Sequence, residues 1–539
     1  MPSEHRLHPT SILFALAGSL KALALPALVV MLSSLRPAPA PGAGGQVGGR
    51  WGPGGWVNSW TPGSYELENW QVWLLLFLIP ATIAAVVRFL TFRVQYEGGE
   101  LVIRSGLLFR NERHVPYGRI QNLDATRTVM HRLFGVAEVR IETGGGKEPE
   151  ARISVLHMTV FEDMRRRVLE GRARAGLAAA PASELPEAVP AVAVEPRTLL
   201  HLPLRELLLL GLLENRGVLI IAAVYGGLWE TGLQGLVWER VTSGLYAPGL
   251  LRDTGRRLAE GQLPPLWQIG VMAGGLLGLI LLTRLLSMAW FAVKLHGFRL
   301  ARVGDDLRTE YGLLTRMTTT IPLGRVQTLT LRETPLQRLA GRMSVRVETA
   351  GGPSEPGNGP KRPRERLAPI IRTSAVPALV HEVMPHADLD TLDWQPVHPR
   401  AFRRAVKPML LLTTLPSIAL LALLGWRLWP ALAVTIGLTV LVTHRHVQRL
   451  AWAANAHVVA VRTGWLWRSV TITPVAKIQT VMSIESPFDR RTSMAGVRVD
   501  TAGGRERSIG MSIPYLARET AQTLLARLSA RTAQTAFRW

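Results

Sequence analysis

Val139-Arg140-Ile141-Glu142-Thr143-Gly144-Gly145-Gly146 recurs twice along the chain. It returns as Val345-Arg346-Val347-Glu348-Thr349-Ala350-Gly351-Gly352 and as Val497-Arg498-Val499-Asp500-Thr501-Ala502-Gly503-Gly504. One structural unit has been used three times, so the fold must satisfy three copies at once. The register reaches well upstream without a gap. Gln121, Gln327 and Gln479 each stand 22 positions before the Thr of their copy. Pro116, Pro322 and Pro474 precede each Gln by five, and Gly106, Gly312 and Gly464 precede each Pro by ten. A basic residue, Arg119, Arg325 or Lys477, lies two positions before each Gln. The third copy departs in two ways. It lacks the entry seen as Phe92-Arg93-Val94 and Phe298-Arg299-Leu300, and it has Ser493 where the others have Gly135 and Gly341.

Within a copy the pattern is that of short strands. Leu101–Gly106 reads as a strand ending in a turn, and Gly98-Gly99 before it marks a hairpin. Arg113–Pro116 and Ala151–Leu156 read as further strands. Val139–Thr143 alternates apolar and polar residues, as a half-buried antiparallel strand does. The glycines after it, Gly145, Gly351 and Gly503 among them, supply a tight turn, as do Gly106, Gly312 and Gly464. Phe161, Met164 and Val168 have helical spacing, and the third copy ends with a strand at Ile509–Ile513 and a helix from Tyr515 to Leu528.

Six apolar stretches fall in three pairs, one pair before each copy: Ser11–Leu35 with Trp70–Phe92, Gly217–Thr231 with Leu266–Val293, and Ala405–Leu424 with Leu428–Val442. A bilayer span needs about 17–25 apolar residues, which makes all six span candidates, those at Gly217 and Leu428 being short. Trp residues at their ends suit the headgroup zone. The first stretch is read as an uncleaved anchor rather than a signal peptide, because Lys21 interrupts it. His8-Pro9 and His398-Pro399 mark the entry to the first and third pairs, with Leu202-Pro203 before the second.

The net charge of +23 fits a nucleic-acid binder or a membrane protein with basic cytoplasmic parts. Its placement favours the second. Residues 444–539 hold 14 Arg or Lys against 5 Asp or Glu, whereas the loop at 37–69 has Arg50 as its main positive charge. The termini and all three modules are therefore expected on the cytoplasmic side, with no nucleic-acid partner. The absence of Cys excludes disulfides and thiolate-held metals.

No catalytic pattern stands out. His381 and His386 are five apart rather than the four a zinc-protease helix needs, and Pro385 interrupts the run. His444-Arg445-His446 reads as a cationic cluster beside the membrane. Gly144-Gly145-Gly146-Lys147 lacks the early Gly and the final Ser or Thr of a phosphate loop. Lys21, Arg88 and Arg284 are the charges within apolar stretches; the last two lie near cytoplasmic ends, within snorkelling reach. What remains is the repeated polar set: Arg119/Gln121, Arg325/Gln327 and Lys477/Gln479, with Arg140, Arg346 and Arg498. A basic group beside an amide suits a lipid phosphate or a peptide backbone. The same residues equally serve the fold, the Arg by pairing across a sheet and the Gln by satisfying a turn.

Paired spans, a Gly with Pro ten positions on, then [RK]-[IV]-Q and V-R-[IV]-[ED]-T-[GA]-G-G resemble the bacterial pleckstrin-homology-like (PH-like) membrane proteins of the YdbS/YdbT type. The long three-module layout resembles the YdbT-like member. The resemblance covers nearly the whole chain and implies two antiparallel sheets of about seven strands capped by a C-terminal helix. It implies no enzymatic activity, no cofactor, and a smaller one-module relative or other envelope proteins as partners. Ser493, the short third entry and the basic insert Pro353–Arg366 depart from the common pattern and put a shared ligand in doubt.

The expected fold class is thus a multi-pass α-helical membrane protein with three cytoplasmic PH-like β-barrel domains. The divisions are a first helix pair at 1–92, PH-like domains at 93–176, 294–390 and 450–530, a linker at 177–202, and further helix pairs at 203–293 and 391–449. The expected function is a non-enzymatic inner-membrane protein presenting its modules to proteins or anionic lipids, as an envelope scaffold or assembly factor, with oligomers possible in a ring or with the one-module relative. The alternative is a transporter or export factor whose helices form a pathway, with Lys21 as its mid-span charge.

Overall fold

In a computed structural model the described residues are 4–18, 70–97, 99–107, 110–143, 151–178, 197–230, 247–260, 262–350, 365–424, 429–502 and 511–534. Each copy of the repeat builds seven strands in a four-plus-three arrangement. In the first copy β1 (Glu4–Arg6), β2 (Arg93–Glu97), β3 (Glu100–Ser105) and β4 (Asn111–Pro116) form an antiparallel sheet in that order. Gly99, at φ 94°, turns β2 into β3 as the Gly pair predicts. The invariant Pro ends the fourth strand, and a single 3-10 turn at Tyr117–Arg119 carries the chain round the corner. The second sheet then follows as β5 (Ile120–Thr128), β6 (Val136–Thr143) and β7 (Ala151–His157), and the helix Met158–Ala178 closes the module.

The copies do not stay separate. The second copy supplies β8 (Arg197–His201), β9 (Arg299–Val303), β10 (Asp306–Tyr311) and β11 (Thr315–Pro322), and β11 pairs with β5 of the first copy. One seven-stranded sheet results, in the order β7-β6-β5-β11-β10-β9-β8. The arrangement repeats one module on. The second sheet of copy two, β12 (Val326–Glu333), β13 (Arg342–Thr349) and β14 (Glu365–Arg372), joins the first sheet of copy three through β12 and β18. That sheet contains β15 (Gln395–Pro396), β16 (Ala451–Ala454), β17 (Val458–Thr463) and β18 (Arg468–Pro474). The last sheet holds β19 (Ile478–Ile484), β20 (Met494–Thr501) and β21 (Met511–Ala517), under the helix Arg518–Gln534.

Alternation along the strands makes the cores. Val139 and Ile141 are fully buried and meet Leu101, Ile120, Ile153, Phe161 and Met164. The middle core runs further. It begins at Leu207, Leu210 and Phe291 on the helices, passes through Leu329 and Val347, and ends at Val458 and Ile472 of the third copy. The strand before each helix pair is also part of the module: β1 pairs with β2, β8 with β9 and β15 with β16. The ranges beginning at 93, 294 and 450 therefore leave out Glu4–Arg6, Arg197–His201 and Gln395–Pro396.

The multi-pass, six-span fold class is overturned. Among the described residues one helix, Leu266–Lys294, is by itself long and apolar enough to cross a bilayer. Leu204–Leu213 and Gly217–Gly227 meet that standard only together, across a bend of 71°. The reason lies in what surrounds the apolar runs. Ala401–Leu424 opens with Arg403, Arg404 and Lys407 and contains two prolines, Pro408 and Pro416. Trp429–Arg449 ends in His444-Arg445-His446 and Arg449, which dilute its hydropathy over a span length. Trp70–Thr91 is helical, with its described side chains confined to 79–91, and most of Ser11–Leu35, Lys21 included, lies outside the described residues. The bent pair packs closely against the long helix. A Cβ on Gly217 would lie 1.8 Å from the Thr283 carbonyl oxygen, and one on Gly211 would lie 2.4 Å from Met288 Cα.

Candidate functional site

The repeated polar set occupies the corner between the two sheets of each module. Pro at each corner has φ near −60° and no N–H to donate, so the ladder stops and a 3-10 turn begins. Arg325 and Lys477 end their turns, and Gln327 and Gln479 are the second residues of β12 and β19. Arg119 and Gln121 hold the matching backbone positions; their side chains lie outside the described set.

The second and third copies use these residues differently. The Arg325 guanidinium donates to the Ala350 carbonyl, and the Ala350 N–H donates back to the Arg325 carbonyl at 3.0 Å. That pair clamps the corner to the end of β13. Gln327 is 4% exposed, and its amide nitrogen donates to the Arg325 carbonyl at 3.4 Å. Lys477 reaches across to the preceding module, donating from Nζ to the Gly324 carbonyl. Gln479 is exposed. One sequence position is thus buried where a neighbouring module covers it and open where none does.

Arg140, Arg346 and Arg498 stand on the outer face of β6, β13 and β20, between core residues on either side. In register they face Asp124, Thr330 and Met482 across the sheet. Arg140 Nε also lies 3.5 Å from a Glu138 carboxylate oxygen. Gly106, Gly312 and Gly464 all take positive φ in the turn before the fourth strand. Gly145, Gly351 and Gly503 lie outside the described residues.

Sequence reading missed the ties between helices and sheets. Arg342 makes a two-pronged contact with Glu206, at 3.1 and 2.9 Å, joining the start of β13 to the helix Leu204–Leu213. Arg404 contacts Asp489 at 2.7 Å and the Ser486 hydroxyl at 3.1 Å, joining the helix Ala401–Leu424 to the short helix Pro487–Arg490. Burial raises the Asp489 pKa, but hydrogen bonds from Ser486 and the Arg404 guanidinium outweigh it and hold the carboxyl below its usual range. The partners lie far apart in sequence, so no local spacing signals them.

A cleft of about 390 Å³ opens between the second and third modules, lined by Val326, Met384, His386, His457, Lys477 and Arg531 among others. His386 and His457 stack there with ring centroids 4.8 Å apart. The lining holds no carboxylate, so the cleft favours an anion over a cation. Two of its cationic side chains are already engaged: Arg531 donates to the carbonyls of Asn455 and Ala456, and Lys477 to that of Gly324.

Comparison with known proteins agrees with this architecture. The family model described as bacterial PH domain matches residues 45–172, 257–380 and 410–532. The chain is 23% identical over 430 residues to the UPF0699 transmembrane protein YdbT of Bacillus subtilis (strain 168). That alignment covers 78% of this chain and 80% of the relative. No solved structure matches the chain. Three matched segments, each meeting its own corner, turn and pair of sheets, make this chain a member of the bacterial PH domain family.

Proposed function

We propose that this chain is a non-enzymatic, membrane-associated scaffold that holds three PH modules against the cytoplasmic face of a bacterial inner membrane, where they bind proteins. The observation that carries the reading is the helix Leu266–Lys294. It is about 44 Å long at the usual rise per residue, against a hydrocarbon thickness of about 30 Å. Leu276, Leu277, Leu281 and Leu285 on it are exposed, an apolar surface that water disfavours and lipid accepts. Trp267 near its start and Trp290 near its end are placed as interfacial anchors, and Lys294 lies over the Trp290 ring at 5.4 Å. Arg216 and Arg366, near Glu214 where this helix meets its module, put positive charge on the module side, as cytoplasmic placement requires. The printed name of the B. subtilis relative, a transmembrane protein, supports the same location.

A protein partner is favoured over a headgroup because the best phosphate-binding candidates are committed elsewhere. Arg325 is bound to Ala350 and Lys477 to Gly324, which leaves the modules as a rigid framework more than a set of phosphate pockets. Tethering makes weak module contacts effective by raising local concentration. The test is photo-crosslinking in cells from a probe amino acid placed at Arg140 and, separately, at Arg498, with the adducts recovered from carbonate-washed membranes. Discrete protein adducts are expected. Adducts to lipid alone would reassign the modules to headgroup binding. Release of the chain by carbonate would sink the membrane placement.

A further inference from the structure

The two junctions between modules are built to one rule. Where β11 meets β5, Thr318 faces Ala125 and Met317 faces Thr126. Where β18 meets β12, Val470 faces Leu331 and Ser469 faces Arg332. Counted from the repeated Gln and Pro, these are the same positions: the fourth and fifth residues after Gln face the fourth and fifth before Pro. An arginine clasp accompanies each junction. Arg132 donates to the Leu313 carbonyl at 2.8 Å, and Arg338 donates to the carbonyls of Trp465 and Leu466 at 3.1 and 2.8 Å. Both arginines stand eleven positions after their Gln, and both reach the turn that follows the repeated Gly.

The same rule leaves each end of the array unfinished. β19 is the third module's counterpart of β5 and β12, and among the described residues its one sheet neighbour is β20. β4 is the first module's counterpart of β11 and β18, and among the described residues its one sheet neighbour is β3. Where β12 is buried over its first six residues, β19 leaves Gln479, Thr480, Met482, Ser483 and Ile484 exposed. Arg490, eleven positions after Gln479, is exposed and makes no side-chain hydrogen bond to any described residue.

We propose that β19 of one chain pairs with β4 of a second copy, head to tail, in the register already used twice within the chain. The rule places Ser483 opposite Glu112, Met482 opposite Arg113 and Glu485 opposite Arg110. The last pair is the positional counterpart of the Glu333–Arg468 contact of the internal junction, which closes at 3.5 Å; Glu485 already accepts from Arg518 at 3.1 and 2.9 Å and would be shared between the two arginines. Arg490 then has a target in the Leu107 carbonyl, the counterpart of Leu313. Pairing satisfies the backbone groups that an open strand edge leaves unpaired. Such an interface is heterologous, so it generates a ring if the rotation closes and an open filament if it does not. The occupant is a second copy because both surfaces belong to this chain, and its own β4 and β19 lie in separate, unpaired sheets.

The chain has no Cys, which makes the test clean. Full-length S483C and full-length E112C, carrying different tags, are made together in membranes and exposed to a mild oxidant. Facing residues of antiparallel strands lie about 4.5–5.5 Å apart at Cα, within disulfide range. A disulfide-linked pair carrying both tags is expected, with either variant alone giving none. Adding R490E to the S483C chain should lower the yield about tenfold, the value of a charge-assisted hydrogen bond to a carbonyl. The internal pair A125C/T318C, at the same offset, closes within one chain and reports the folded array. Absence of the two-tag product while that internal bond forms would overturn the proposal. So would a double variant S483C/E112C that closes only on itself, since the array would then be a ring of one chain.

Discussion

Ser493 shows how strongly the fold constrains a single residue. In the first two copies this position is Gly135 and Gly341, at φ 66° and 61°, and the third copy keeps the left-handed backbone at φ 54° with a serine. An L-residue there pays about 1–2 kcal/mol that glycine does not, offset in part by the entropy glycine loses on folding. Ser493→Gly should therefore raise stability by about 0.5–1 kcal/mol, and Ser493→Val should lower it by about 1–2 kcal/mol. Thermal unfolding of the full chain in detergent checks both signs. Gly464 is stricter, because a Cβ there would lie 1.9 Å from the Trp467 carbonyl oxygen. At this scale the sequence was most informative. A Gly or Pro recurring at fixed spacing reports a backbone need that no side-chain contact hides.

At the scale of elements, the short helix Pro487–Arg490 illustrates what sequence patterns show and what they miss. Its start was open to inspection: Ser486 caps the Asp489 N–H at 3.1 Å while Asp489 accepts from the Ser486 N–H at 3.0 Å, a reciprocal cap around a proline. The Arg404 contact to the same carboxylate, made across 85 residues of sequence, was not. Because Asp489 is held below its ordinary pKa, its ionised form stabilises the native state. That contribution is full above the unfolded-state Asp pKa and is lost as pH falls through the lower native value. Acid titration of stability should show a steeper fall for the wild type than for Asp489→Asn, which removes this charge. Parallel curves would mean that the contact contributes nothing to folding. The helix spans fared worse. An apolar run reads the same whether or not charged turns and prolines flank it, and those flanks decide whether a whole helix suits a bilayer.

For the molecule as a whole, three modules were legible and their union was not. Strand alternation identifies which face of β6 or β20 is buried, but nothing along the chain says that β5 will pair with a strand nearly two hundred residues on. Edge pairing is a property of what is left open once each module has formed. It also makes the middle of the array one cooperative body. Ile472 belongs to the third copy by sequence, yet it is fully buried in the cluster that contains Leu329 and Val347 of the second. Ile472→Ala should cost about 2–5 kcal/mol. Hydrogen exchange should speed up in β12 and β13 as well as in β17. Exchange confined to residues 451–474 would mean that the modules unfold independently.

In all three modules the first strand is made before the helices and its hydrogen-bonded neighbour after them, as with Glu4–Arg6 against Arg93–Glu97. Biosynthesis therefore has an enforced order. The leading strand must wait, unpaired, until everything between it and its partner has been synthesised and the chain has come back to the same place. Whatever accepts the intervening helices acts as a checkpoint on the folding of the sheet, and a chain that stalls there exposes a waiting edge to quality control.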